Sequence, residues 1–232
     1  MSTPETIVMS VGGSLIVPDQ IDITFLQNLR SFILEETSTQ NYRFVIIAGG
    51  GKTARRYQEA ARSVSELAPD DLDWMGIHAT RLNGHLLRTI FRDIAYPVMI
   101  TNPDEILDIP KSESLVIAAG YRPGSSTDLR AIQIARNIGA HKVINLSNID
   151  YVYTADPKKD PTATKIETIS WTDFRKLIPE QWDPGLSSPF DPVAAREAEH
   201  LNIEVASING ENFDAIRNYL SNQPFVGTRI TV

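Results

Sequence analysis

The chain of 232 residues contains no cysteine. That excludes a disulfide scaffold, a cysteine-ligated zinc site and a thiol nucleophile, and it fits a reducing cytoplasm. No stretch approaches the roughly 18–20 unbroken apolar residues that a membrane span needs, and there is no basic-then-apolar start of the kind that directs secretion. Excess positive charge is also missing. Lys and Arg number 22 against 29 Asp and Glu, a formal charge of −7. An acidic surface repels a nucleic-acid backbone and argues against nucleic acid as a partner. A small phosphorylated ligand stays compatible, because it needs only a few local cations and backbone N–H donors.

Several motifs are lacking as well. Neither Gly-x-x-x-x-Gly-Lys-Ser/Thr nor Gly-x-Gly-x-x-Gly occurs, which disfavours a P-loop kinase and a standard dinucleotide dehydrogenase. The four histidines, His78, His85, His141 and His200, have no metal-ligand spacing, and no Gly-x-Ser-x-Gly signals a hydrolase. No metal site made by side chains is expected.

What is present is alternation. Ile7 to Val11, Phe44 to Ala48, Pro97 to Ile100, Leu115 to Ala119, Val143 to Leu146, Ile203 to Ala206 and Thr228 to Val232 read as strands. Helical spacing marks Asp22 to about Glu36. It recurs in a stripe of Ala54, Tyr57, Ala61, Val64 and Ala68, and again from about Trp74 to Ile94 with Leu82, Leu86, Ile90 and Ile94. Between the last two, Pro69-Asp70-Asp71 reads as a break. Further helices carry Ala131, Ile134, Ala135 and Ile138, then residues 192–201, then Phe213, Ile216 and Leu220. The segment 182–192, with three prolines and a glycine, reads as a loop. The pattern predicts one α/β domain: a three-layer αβα sandwich with a mostly parallel central sheet. Its two lobes are expected at about residues 1–140 and 141–232.

In such sheets ligands collect beyond the carboxyl ends of the strands. Three glycine-bearing loops fall there: Gly12-Gly13-Ser14, Gly49-Gly50-Gly51-Lys52, and Gly120 through Asp128. Glycine lets backbone N–H groups approach an anion, and a helix starting after the loop adds its positive end. Lys52 and Arg55 lie within a turn of a helix start. Cations there oppose the helix dipole, a placement that makes sense with an anion between them. Arg56 reads as a solvated neighbour. Tyr121 through Thr127 is rich in hydroxyls, and Asp128 either caps the next helix or contacts a ligand or metal ion.

Read together, several stretches resemble the amino acid kinase family and, within it, the archaeal-type uridylate (UMP) kinases. They are Val11 to Ser14, Gly49 to Arg55, Trp74 to Asn83, Pro123 to Asp128, and Tyr153 to Ala163. The resemblance runs the length of the chain in order, and the polar string from Tyr153 to Ala163 is its most specific part. It implies a kinase that binds Mg²⁺-ATP and UMP along the strand ends. By motif position, Gly13 and Ser14 hold ATP phosphates, Gly51 and Arg55 contact ATP, and Ser147, Asn148, Tyr153 and Asp156 surround its adenosine. Gly50 contacts UMP, Asp73 takes the UMP ribose hydroxyls unless it merely caps the helix before Trp74, and Tyr121, Arg122, Pro123, Gly124, Ser125, Ser126 and Thr127 cradle UMP. Mg²⁺ travels with ATP, held through waters and the nucleotide itself. A homohexamer is implied too.

The chain departs from the family pattern at Ser10, where many relatives carry lysine, at Tyr151 in place of glycine, and at Arg122 in place of a histidine or small polar residue. With Ser10 uncharged, Lys52 and Arg55 are the candidates for neutralising the migrating phosphoryl group. Rival readings are a sibling kinase acting on another small acceptor, such as isopentenyl phosphate, and a non-catalytic ATP- or oxyanion-binding storage protein of the same fold.

Overall fold

The computed structural model describes residues 4–40, 42–181 and 188–232. The first apolar burst forms β1, Glu5–Val11, and runs into a single helical turn, α1, Gly13–Ile16. There follow α2, Ile23–Thr39, β2, Tyr42–Ala48, α3, Gly51–Val64, and α4, Pro69–Ile90. A 3₁₀ helix at Pro103–Asp108 leads to β3, Leu115–Ala118, α5, Thr127–Ile138, and β4, Lys142–Ser147. The second half adds β5, Val152–Tyr153, β6, Lys165–Ile166, β7, Thr168–Ser170, α6, Trp171–Leu177, α7, Pro192–His200, β8, Glu204–Asn209, α8, Phe213–Leu220, and β9, Thr228–Thr231.

Seven strands make one sheet in the order β3-β2-β1-β4-β8-β9-β7, while β5 and β6 pair separately as an antiparallel ribbon. All neighbours in the large sheet are parallel except β8 and β9. Side chains alternate between two cores. Ile7, Met9 and Val11 of β1 face the core built with α2, α4 and α8, whereas Val8 faces the one built with α5, α6 and α7. Both faces are covered, which is why the strands read as mostly apolar runs rather than alternating ones, with Ser10, Asn145 and Ser207 the buried polar exceptions in β1, β4 and β8. The expected αβα sandwich with its mostly parallel sheet is therefore present, and no described helix is long and apolar enough to cross a membrane.

The structure corrects four local expectations. Pro69 does not break the chain: it occupies the first turn of α4, where proline lacks only an N–H the helix leaves free. Asp70 and Asp71 then favour the dipole, and Asp71 Oδ2 accepts the Ala68 N–H at 3.3 Å. Pro97 to Ile100 makes only isolated bridges, Ala95 with Leu115 and Ile100 with Ala118, so β3 is the edge strand. The stripe on α3 does not face the core, for Tyr57 and Val64 are 67% and 86% exposed and Gln58 is the buried residue. On α4 the buried line runs through Leu72, Ile77, Thr80, Asn83 and Leu87, and Leu82 is exposed. The predicted loop at 182–192 lies mostly outside the described residues.

β1 sits between β2 and β4, so the chain leaves it toward one side of the sheet and returns on the other. The crevice at such a switch point is the place where α/β sheets take ligands.

Candidate functional site

The glycine turns after β1 and β2 interlock. The Gly12 N–H donates to Leu146 O at 2.8 Å, and the Gly49 N–H donates to Val11 O at 2.9 Å. A Cβ on Gly13 would stand 1.9 Å from Gly51 N, and Gly51 itself has φ +62°. Only glycine permits that approach and that backbone sign.

α4 staples the third turn to the first two with polar side chains on its buried face. Asn83 Nδ2 donates to Gly49 O at 2.7 Å, Thr80 Oγ1 accepts the Gly120 N–H at 2.9 Å, and Arg81 donates to Gly120 O and Tyr121 O at 3.1 and 3.0 Å. Asp73, also on α4, accepts the Gly124 N–H on Oδ2 at 2.8 Å. Asp73 lies inside the helix rather than at its cap, so the capping alternative falls. Burial pushes its carboxyl above the ordinary range, the Gly124 N–H pulls it back, and Asp70 pushes it further up.

The loop before α5 rests on Arg130. Its guanidinium stacks 5.2 Å from the Tyr121 ring, bonds Ser125 Oγ, and is pushed down to about 10 by burial and by Arg122. Ser126 caps α5 by accepting the Leu129 N–H at 3.1 Å, which removes that role from Asp128. Asp128 instead accepts from Ser10 Oγ at 3.0 Å and from the Asp191 N–H at 3.2 Å. Burial and the neighbouring Asp191 charge push Asp128 up to about 6, against the two hydrogen bonds.

Together these elements enclose a cleft of about 330 Å³ at the strand ends. Of the expected residues, Gly13, Ser14, Gly50, Gly51, Arg55, Asp73, Ser125, Ser126, Thr127 and Ser147 line it. Tyr121, Arg122, Pro123 and Gly124 are not in the lining, and Gly124 reaches the cleft through Asp73. Lys52 stands outside, its Nζ 2.9 Å from Asp19 Oδ1, a carboxylate shared with Arg56 at 2.7 Å. Lys52 and Arg56 hold the Asp19 carboxyl below the usual range. Asn148, Tyr153 and Asp156 lie beyond the lining as well. Tyr153 pairs with Lys165 across the β5–β6 ribbon, and Asp156 caps its own turn by accepting the Lys158 N–H at 3.0 Å.

Sequence reasoning missed Thr80, Asn145 and Asp191, all in the lining, and the supports Arg81, Asn83 and Arg130. One signal was available for Asp191. An aspartate directly before Pro192 and an apolar helical run is an N-cap signature, and Asp191 Oδ1 does accept the Ala194 N–H at 2.7 Å.

The sequence model of the amino acid kinase family matches residues 5–209. A protein named uridylate kinase from Methanospirillum hungatei is 36% identical, the match covering 97% of this chain and 94% of that protein. One of the same name from Hyperthermus butylicus is 33% identical, with 97% of each covered. Among solved structures, a uridylate kinase from Archaeoglobus fulgidus superposes with a TM-score of 0.81 at 30% identity, over 97% of this chain and 99% of that one. A UMP kinase from Ureaplasma parvum gives 0.81 at 21% identity, over 100% of both chains, and speaks for the fold alone.

Proposed function

The chain belongs to the amino acid kinase family, and from that premise we propose that it is a UMP kinase, moving the γ-phosphoryl group of ATP onto UMP to give UDP and ADP. The observation that carries the reading is the convergence of three glycine-bearing turns and the Asp73 carboxylate on one cleft. The relatives named uridylate kinase, alike over nearly the whole chain, support the acceptor.

Phosphoryl transfer asks little covalent chemistry of a protein. It needs two substrates held in line and positive charge over the migrating group. The UMP phosphate is already ionised, so no general base is required. In this reading the N-terminal lobe takes UMP and the C-terminal lobe takes ATP. Amides of Gly13 and Gly51 and the hydroxyl of Ser14 hold ATP phosphates. Gly50 and the loop from Tyr121 to Thr127 hold UMP, with Asp73 Oδ1 left to the ribose hydroxyls. Ser147, Asn148, Tyr153 and Asp156 flank the adenosine. Arg55, in the cleft lining, and Lys52, released from Asp19, stabilise charge that grows in the transition state. ATP brings Mg²⁺, which when bound neutralises phosphate oxygens.

We also read the chain as self-associating, as the hexamer expected from the resemblance. Tyr57 on α3 and Trp74, Met75 and Leu82 on α4 surround an open hollow with Leu67, and Tyr57, Trp74 and Leu82 are exposed. Apolar side chains grouped in this way mark association surfaces.

A coupled assay of ADP release with UMP, CMP, AMP or buffer alone tests the activity. Release that depends on UMP and exceeds that with the other acceptors is expected. Equal release without any acceptor, or ATP binding with no turnover on any of them, overturns the reading.

A further inference from the structure

Arg130 is a buried cation, 3% exposed, and no carboxylate is among its hydrogen-bond partners in the described residues. Its Nη1 donates to Gln133 Oε1 and its Nη2 to Ser125 Oγ, while its Nε is buried with no partner among the described residues. Arg122 stands over the same Tyr121 ring, 5.6 Å from its centre, so the neighbouring charge repels Arg130 rather than neutralising it. A charge taken out of water and left among neutral groups is costly. The fold keeps this one against the third glycine-bearing turn, where Arg81 also donates to Gly120 O and Tyr121 O.

The cleft draws on positive charge from behind its lining. Among the described residues the lining holds one cation, Arg55, against the carboxyl groups of Asp73, Asp128 and Asp191. Two phosphate-bearing substrates add further negative charge. Ser125 lines the cleft and accepts the hydrogen bond from Arg130. With Arg130 on an oxygen lone pair, the Ser125 hydroxyl keeps its hydrogen to donate, and it spends that hydrogen on Arg122 O across 3.3 Å, a long bond for a hydroxyl. A cationic donor on the oxygen polarises the O–H and strengthens what it gives to a third group. Ser125 also stands two residues before α5, and a helix N-terminus favours anions. We propose that Arg130 is a positioning residue for the acceptor's phosphate group: it holds the Ser125 hydroxyl ready to donate to a phosphomonoester and supplies the positive charge that the lining lacks on that side. An uncharged sugar or base gains little from a buried cation, so the phosphate is the part of the acceptor that Arg130 selects. The inference rests on the kinase reading for the acceptor's being a phosphate ester, and not on that ester's being UMP.

The test compares UMP with uridine, which lacks the phosphate. Steady-state turnover of the full chain gives the KM for UMP and for ATP, and uridine is measured as a competitive inhibitor against UMP. Arg130→Met keeps an apolar stem and removes the charge. It should raise the KM for UMP by roughly 10-fold or more, the scale of a lost hydrogen bond to a charged group. The KM for ATP and the inhibition constant of uridine should stay nearly unchanged. Arg130→Lys restores a charge and should recover most of the loss, whereas Ser125→Ala should reproduce the loss with Arg130 in place. Circular dichroism melting checks that each variant folds, and if Arg130→Met does not, Ser125→Ala carries the same comparison. Turnover with UMP in the parent, and equal losses for UMP and uridine or no change in either in the folded variants, overturns the proposal and leaves the kinase reading intact, with Arg130 only packing the loop. A parent that uses CMP or AMP in place of UMP refutes the UMP reading alone, and the comparison is then made with that nucleotide and its nucleoside.

Discussion

The Asp73 carboxylate accepts the Gly124 N–H at 2.8 Å, joining the second turn of α4 to the loop that leads into α5. The bond occupies Oδ2 and spares Oδ1, and Asp73 lines the cleft. A carboxylate raised by burial gains most from donors that arrive with a ligand. Asp73→Asn should therefore raise the KM for UMP by roughly 10-fold or more, the scale of one lost hydrogen bond to a charged group, and leave the KM for ATP nearly unchanged. Steady-state kinetics with each substrate varied in turn decide it. An equal rise in both constants would mean that Asp73 only positions the loop.

Lys52 rests on Asp19, outside the cleft lining, with both side chains well exposed. An exposed pair of this kind is weak, because solvent and salt screen it, too weak to hold an ammonium against a triphosphate. Lys52→Ala should lower kcat by roughly 10²-fold, the order seen when one preorganised donor to transition-state charge is removed. Asp19→Asn should leave kcat nearly unchanged, since it removes only the resting partner. Near-normal turnover in Lys52→Ala would take Lys52 out of the mechanism and leave Arg55 as the cleft's cation.

The large sheet was legible because strands covered on both faces must be largely apolar, and Phe44 to Ala48, or Ile7 to Val11 apart from Ser10, have no other use for such runs. The glycine turns were legible because three of them share one rim. The start of α4 was not. Pro69 reads as a breaker until the helix is seen to begin there, where its missing N–H costs nothing. Thr80 and Asn83 were equally hidden, because polar residues in a helix look like solvent-facing ones until the backbone groups of Gly49 and Gly120 are found opposite them. The ribbon of β5 and β6 is two residues per strand, too short for any period to register.

Gly13 and Gly51 are in backbone contact, so the two glycine turns support each other. A Cβ at Gly13 would meet Gly51 N at 1.9 Å and Gly49 C at 2.6 Å, backbone atoms that no side-chain rotation can move aside. Gly13→Ala should destabilise the fold by about 3 kcal/mol, the upper end of what overpacking a tight site costs, and abolish turnover because the turns must part. Urea unfolding measures the first effect and the ADP-release assay the second. Parent-like stability would show that the turns separate freely and are not mutually braced.

Tyr57 and Leu82 are 67% and 64% exposed, yet they belong to adjacent helices and border the same hollow. Exposed singly, such residues need no explanation. Grouped with Trp74 and Met75 they form a surface that water solvates poorly. If the face joins copies of the chain, placing a charge at its centre opposes association without touching the cleft lining, where neither residue lies. Leu82→Glu should therefore shift the sedimentation coefficient from that of an assembly to that of a smaller species, and the melting curve should stay cooperative. A parent chain that sediments as a monomer, or a variant that sediments as the parent assembly does, would assign this face some other role, and the exposed Tyr57 and Leu82 would then contribute nothing to the quaternary structure.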